Sequence, residues 1–166
     1  MAVYKVCGIG EDGKYTDNNA RSSVINYCLH DSKAIHYIGS RAVNIAHAAE
    51  EMEVVAKVYH NNDRVRIRHS IISFDDSDNI TPEQAAAIAE AAISFYGNQY
   101  QIVYGVHEDA DHLHIHMAMN QVSYMDGRKF RGTKADHYAF IHYMQQVVRP
   151  YGISIIPVSD QPAFMR

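Results

Sequence analysis

The sequence predicts an α+β domain: a single, mainly antiparallel sheet of about five strands with helices packed on one face. Three observations predict it. Helical spacings of three and four residues and strand alternation take turns along the chain, without an internal repeat, a low-complexity run or a linker. Two strand-like runs, 100–107 and 112–121, are separated by a polar stretch of hairpin length, which makes them antiparallel neighbours. A chain of 166 residues that is 47% hydrophobic and 20% charged can bury one real core, so one domain over residues 1–166 is expected.

Residues 2–7 alternate as a first strand, and the glycine-rich, polar stretch from Gly8 to Asn19 reads as a loop. A helix is expected to start near Asn19, with Val24, Ile25, Cys28 and Leu29 as its apolar stripe. Ser40 is expected to cap a second helix, in which Ile45, Ala49, Met52 and Ala56 recur at helical spacing until Asn61–Arg64 ends the pair. The Ile- and Val-rich run 65–74 reads as a strand. Thr81, Pro82 and Gln84 then form a capping box with proline at the first helical position. That helix should run through Ile88, Ala92 and Ile93 to Gly97, placed for a left-handed cap. After the hairpin, Thr133 and Asp136 open a last helix carrying Phe140, Ile141, Met144 and Val148. Pro150 and Gly152 stop it, and 153–158 makes a final strand. The expected order is βααβαββαβ.

Composition excludes several classes. No run approaches the roughly 18 to 20 apolar residues of a membrane span, and the first ten residues lack the charged and apolar blocks of a signal peptide, so no membrane insertion and a cytoplasmic location are expected. Cys7 and Cys28 are too few for a disulfide framework and lack zinc-site spacing; both read as buried, reduced small hydrophobes. The net charge of −4 does not by itself argue for nucleic acid. What stands out is eleven histidines, several crowded into one segment.

That segment is His107-Glu-Asp109-Ala-Asp-His112-Leu-His114-Ile-His116-Met-Ala-Met-Asn120. On a strand, His112, His114, His116 and Asn120 share one side, and Leu113, Ile115, Met117 and Met119 the other. Three imidazoles in a row pack poorly and are costly to bury unpaired, whereas metal binding explains them. Two histidines two apart do not complete a coordination sphere; His107, at the end of the neighbouring hairpin strand, is placed to supply a third ligand. Asp109 is placed as an acceptor that fixes the tautomer of a ligand histidine. A surface histidine cluster or adventitious chelator is the plain alternative. His69, on another strand, reads as an ordinary core or edge residue and is left out of the site.

The segment resembles the metal-binding motif of the relaxase and mobilization nucleases, within the wider class of His-hydrophobe-His endonucleases. The resemblance extends to Arg68-His69-Ser-Ile-Ile-Ser73-Phe74, to Ile80-Thr-Pro-Glu, to Asp126-Gly-Arg-Lys-Phe-Arg131 and to Tyr151-Gly-Ile, nearly the whole chain. It implies a sheet with the histidine pair on a central strand, metal ligands at His107, His114 and His116, and a tyrosine nucleophile on a helix before the motif. Ile25-Asn-Tyr27-Cys-Leu-His-Asp-Ser-Lys33 matches that last pattern, which makes Tyr27 the expected nucleophile, with Tyr37 in reserve among twelve tyrosines. His30-Asp31 stands where the family pattern has a proline-containing pair.

The implied activity is site- and strand-specific nicking and rejoining of single-stranded DNA at an origin of transfer. A phenol with a reference pKa near 10 is a weak nucleophile, so a divalent metal is expected to polarise the phosphate. Mn²⁺ or Mg²⁺ is expected, with Zn²⁺, Co²⁺ or Ni²⁺ as further fits to three histidines. Tyrosine attack leaves a 5′-phosphotyrosine and a 3′-hydroxyl, and the ester is resealable. Relaxosome accessory proteins and a coupling protein are the further partners implied, as are long extensions after the nuclease domain. Lys33, His112, Lys129 and Arg131 are candidate DNA contacts, and the basic run 128–134, flanked by Tyr124 and Phe130, is a candidate stacking and backbone-tracking surface. Two rivals differ in class: His112-Leu-His114-Ile-His116-Met-Ala also matches the histidine-triad nucleotide hydrolases, and a non-catalytic DNA-binding or metal-storage module would use the same histidines. A replication initiator or transposase would share the chemistry.

Overall fold

The computed structural model describes residues 1–30, 34–108 and 112–158. In chain order its elements are β1 (Ala2–Val6), α1 (Ala20–His30), β2 (Ala34–Arg41), α2 (Ala48–Val58), β3 (Ile67–Ser73), α3 (Pro82–Tyr96), β4 (Ile102–Glu108), β5 (Leu113–Asn120), α4 (Lys134–Val148) and β6 (Ile155–Pro157). The strands form one sheet in the order β2-β4-β5-β3-β1-β6. Every neighbouring pair is antiparallel except β1 and β6, which are parallel. The α+β class stands, but the described sheet is mixed and six-stranded where about five antiparallel strands were expected.

The additional strand is β2. Its residues lie between two helical patterns and include Gly39, so locally they read as a connection. Pairing with β4 makes them a strand, from Ala34 opposite Glu108 to Arg41 opposite Ile102, with a register shift between Ile35 and Tyr37. Ser40 therefore caps nothing: it lies in this edge strand, and its Oγ donates to the Val43 carbonyl at 2.9 Å. Asn44 takes the capping role, its side chain accepting from the Ala46 N–H at 3.0 Å above the 3-10 turn Ile45–His47 that leads into α2.

The other helix starts follow the sequence. Thr81 and Gln84 form the reciprocal capping box at 3.2 and 3.0 Å, with Pro82 opening α3. Thr133 and Asp136 repeat it on α4 at 3.1 and 3.0 Å. Gly97 does follow α3, but with φ −71° it is right-handed. Its lack of a side chain serves close approach instead: a Cβ there would stand 2.6 Å from Cβ of Arg41.

Helices cover both faces of the sheet, not one. α3 and α4 close the larger core over Tyr4, Ile72, Tyr104, Val106, Ile115, Met117 and Met119. On the opposite face, α1 and α2 pack Val24, Ile25, Cys28 and Met52 against Ile67, Val103 and Ala118. Strand alternation revealed a core face and a histidine face; the small residues Gly105 and Ala118 let the second helix pair settle on part of the histidine face. No helix among the described residues is long and apolar enough to cross a membrane.

Candidate active site

β5 is an interior strand, flanked by β4 and β3. Its alternation buries Ile115, Met117 and Met119 toward α3 and α4, and turns His114, His116, Ala118 and Asn120 toward the α1 side. His107 on β4 pairs directly with His114, so it faces the same way, and Gly105 pairs with His116. The rings of His107 and His116 lie 4.2 Å apart between centroids, and those of His114 and His116 6.0 Å.

Helix α1 carries Tyr27 over these rings. Its Arg21, Val24, Ile25, Cys28 and Leu29 are buried, which leaves Tyr27 at the edge of the seam, 42% exposed. The Tyr27 ring lies 5.0 Å from His116, 5.7 Å from His69 and 5.8 Å from His107. Residues 42 to 89 positions apart in sequence are thus brought to ring contact. The helix is held at its other end by Arg21, 1% exposed, whose Nε donates to Oδ1 of Asn120 at 3.2 Å and whose Nη1 donates to Glu53 at 2.7 Å and Asn62 at 2.6 Å. Asn120, placed by alternation on the site side, is a clamp: its Nδ2 also donates to Gln101 and to the Met52 carbonyl.

Each expected ligand ring has one nitrogen held by a partner. Nε2 of His107 donates to the Cys28 carbonyl at 2.7 Å, a bond that assigns its proton because the carbonyl only accepts. Nδ1 of His114 lies 2.9 Å from Oγ of Ser73, and Nδ1 of His116 lies 3.2 Å from Nε2 of His69. This is how metal-ligating imidazoles are oriented by groups behind them. In donor type and in these supporting bonds, His107, His114 and His116 fit a divalent ion. Among the described residues, however, no three His, Cys, Asp or Glu side chains converge on a single point where a metal would sit.

His69, by its local pattern an ordinary core or edge residue, belongs to the cluster. It is 8% exposed and faces His116, Tyr27 and Tyr15, whose hydroxyl lies 3.4 Å from its Nδ1. Burial, reinforced by the nearby charges of His107 and Lys14, lowers its pKa to about 4, so the ring is neutral at neutral pH. Alternation within 65–74 was readable, but only the pairing of β3 with β5, His69 opposite Ala118, turns that face to the site. Tyr15 carried no signal at all in its loop.

Other expected residues fall elsewhere. Tyr37 pairs opposite Val106, a residue of the α3 and α4 core, and its hydroxyl donates to Glu83 on α3 at 3.2 Å, so it lies across the sheet from His107. His112 is exposed at the entrance to β5, its ring 5.9 Å from that of His114. Lys129 is tied down, its Nζ donating to the Asp63 carbonyl and, at 3.3 Å, to that of Val65, with the Asp63 carboxylate 3.3 Å away. Arg131 is exposed. Phe130 is not a stacking platform: it is 9% exposed, with the Arg68 guanidinium 4.7 Å over its face and Tyr96 and Tyr100 edge-on. Asp109 and Lys33 lie outside the described residues.

Comparison with known proteins places the chain in a family. The family model for the relaxase MobA/VirD2-like nuclease domain matches residues 27–153, beginning at Tyr27. Group II intron-interrupted relaxase LtrB of Lactococcus lactis subsp. cremoris is 37% identical over 70 residues, 42% of this chain and 12% of that protein. Protein rlx of Staphylococcus aureus is 23% identical over 131 residues, 75% of this chain and 41% of its own length. The chain thus spans well under two thirds of these relatives. A solved structure described as "Molecular Basis of Vancomycin Resistance Transfer in Staphylococcus aureus" shares the fold, with a TM-score of 0.55 at 12% identity, covering 98% of this chain and 97% of that one. These matches displace the histidine-triad reading. With Tyr27, its histidine strand and most of its length under one family model, the chain belongs to the MobA/VirD2-like relaxases, of which it is a nuclease domain.

Proposed function

We propose that this domain nicks and rejoins one DNA strand at an origin of transfer during mobilization of a conjugative plasmid or element, with Tyr27 as nucleophile. The observation that carries the reading is the Tyr27 ring seated 5.0 Å from His116 and 5.8 Å from His107, at the edge of the seam where DNA has access. Tyr27 Oη attacks the scissile phosphorus and loses its proton to solvent. The P–O3′ bond breaks, and the departing 3′-oxygen takes up a proton. The products are a 5′-phosphotyrosyl strand and a free 3′-hydroxyl, and attack by that hydroxyl restores the DNA.

His107, His114 and His116 would hold a divalent metal, Mn²⁺ or Mg²⁺ in function and Zn²⁺, Co²⁺ or Ni²⁺ by ligand type, with Asp109 supporting one of the rings. When bound, such an ion stabilises charge developing on the scissile phosphate. The Cys28 carbonyl, Ser73 and His69 orient the three rings. Lys33, His112 and Arg131 are the proposed DNA contacts. The reading includes a cytoplasmic site of action, with relaxosome accessory proteins and a coupling protein as partners.

A pool of labelled single-stranded oligonucleotides incubated with the protein and Mn²⁺, then resolved by denaturing gel and mass spectrometry, tests this. A covalent adduct on Tyr27 is expected, lost in Tyr27→Phe and in chelator. An adduct that survives Tyr27→Phe, or none with any oligonucleotide, sinks the assignment.

A further inference from the structure

We propose that Tyr15 and His69 act as a two-residue relay that fixes the tautomer and rotation of His116, so that Nε2 of His116 is the nitrogen presented to a divalent metal. This role presupposes the metal site proposed above, and neither residue belongs to its ligand set.

His69 and His116 are 8% and 5% exposed, and Nε2 of the first lies 3.2 Å from Nδ1 of the second. A neutral imidazole carries one N–H and one lone pair, so two rings in contact share a single hydrogen in one direction. If Nε2 of His116 is to donate an electron pair to a metal, its proton sits on Nδ1 and is donated to the lone pair of His69 Nε2. The His69 proton is then on Nδ1, which lies 3.4 Å from the Tyr15 hydroxyl oxygen and donates to it. Each bond in the chain sets the direction of the next.

The backbone of Tyr15 gives an independent reason to assign it a task. It lies in the left-handed region at φ +62°, where a bulky residue is an outlier that persists only if its surroundings enforce it. Two contacts enforce it. The Tyr15 carbonyl accepts from the Arg66 N–H at 2.9 Å, beside β3, and Gly8 lies so close under the Tyr15 ring that a Cβ there would stand 2.8 Å from it. The loop thus accepts an unfavourable conformation at a residue whose hydroxyl meets His69, and it holds that ring edge-on to the imidazole, 6.3 Å between centroids.

Titration of metal-free protein with Mn²⁺ alone, followed by calorimetry, reads the relay without any DNA chemistry. His69→Ala is expected to bind roughly 10- to 100-fold more weakly, the loss typical of an outer partner of a ligand histidine. His69→Gln, whose carbonyl accepts from the His116 Nδ1–H, is expected to recover most of that loss, and Tyr15→Phe to lose a smaller factor. In the unaltered metal-free protein, ¹⁵N NMR is expected to find the His116 proton on Nδ1, a readout that stands even where His69→Ala does not fold. Wild-type affinity in His69→Ala, or a His116 proton on Nε2, overturns the relay and leaves the metal site standing. If the unaltered protein and His116→Ala bind Mn²⁺ equally weakly, the metal site fails and the relay falls with it.

Discussion

A Cβ added to Gly105 on β4 would stand 1.9 Å from the carbonyl oxygen of Cys28 on α1. Helix and strand therefore meet backbone to backbone, and the same carbonyl accepts the bond from His107 at 2.7 Å. This close seat is what brings Tyr27, the residue before Cys28, to within 5.0 Å of the His116 ring. Gly105→Ala must lift α1 from the sheet by about 1 Å or more, and a displacement of that size at a reacting group costs about 100-fold in rate. The overpacking costs roughly 1 to 3 kcal/mol. Single-turnover nicking rates beside urea unfolding are expected to show a folded, slow enzyme; a variant that nicks at the normal rate would falsify the link between this contact and catalysis.

Arg21 ties α1 to α2 and to the end of β5, and removing it leaves the Glu53 carboxylate without its cationic partner and Oδ1 of Asn120 without that donor beside the buried core. Arg21→Met is expected to lose on the order of 3 kcal/mol in urea unfolding at neutral pH. Partial burial pulls the Glu53 pKa up, but the hydrogen bond and charge of Arg21, joined by the bond from Asn62 and the charge of Arg66, outweigh it and hold the carboxyl below its ordinary value. A depressed folded pKa gives stability that is present above the unfolded value and lost as pH falls through the folded one. The wild-type chain should therefore lose stability on acidification through the carboxylate range. A pH series in which Arg21→Met loses as much over that range contradicts this origin.

A metal that binds only the folded chain stabilises it by mass action. At Mn²⁺ concentrations about 100 times the dissociation constant the gain is about 2.7 kcal/mol, or roughly 5 to 10 °C in Tm for a chain of this size. Calorimetry is expected to show that rise in the unaltered protein and its loss in His114→Ala. An equal rise in both would point to binding elsewhere.

Lys129 is bound to the segment around Asp63 and Val65 instead of facing outward. Lys129→Ala is thus expected to leave single-strand affinity within about twofold and the salt slope unchanged, whereas a lysine on a phosphate would lower the slope by about one. Fluorescence anisotropy across a salt series measures both. A tenfold loss at low salt would return Lys129 to the DNA-binding surface.

How much was readable depends on how far each relationship reaches along the chain. Strand alternation acts over two residues and a capping box over three, so the facing of His114 and His116 and the starts of α3 and α4 were determined by the sequence alone. Tyr27 was reached through family resemblance, since one tyrosine among twelve on a helix has no local distinction. The strand nature of 34–41 required a partner strand more than 60 residues away, and the loss of Phe130 as a stacking surface required Arg68, Tyr96 and Tyr100 to converge on it. His69 and Tyr15 join the site only because β3 pairs with β5 and the glycine-rich loop folds back on Arg66. The sequence by itself determined which side chains share a strand face and where the helices start, because steric and hydrogen-bond rules over a few residues suffice. Tertiary structure alone decided which faces meet and how closely α1 seats on Gly105, because those depend on strand order and on packing between segments that are distant in the chain.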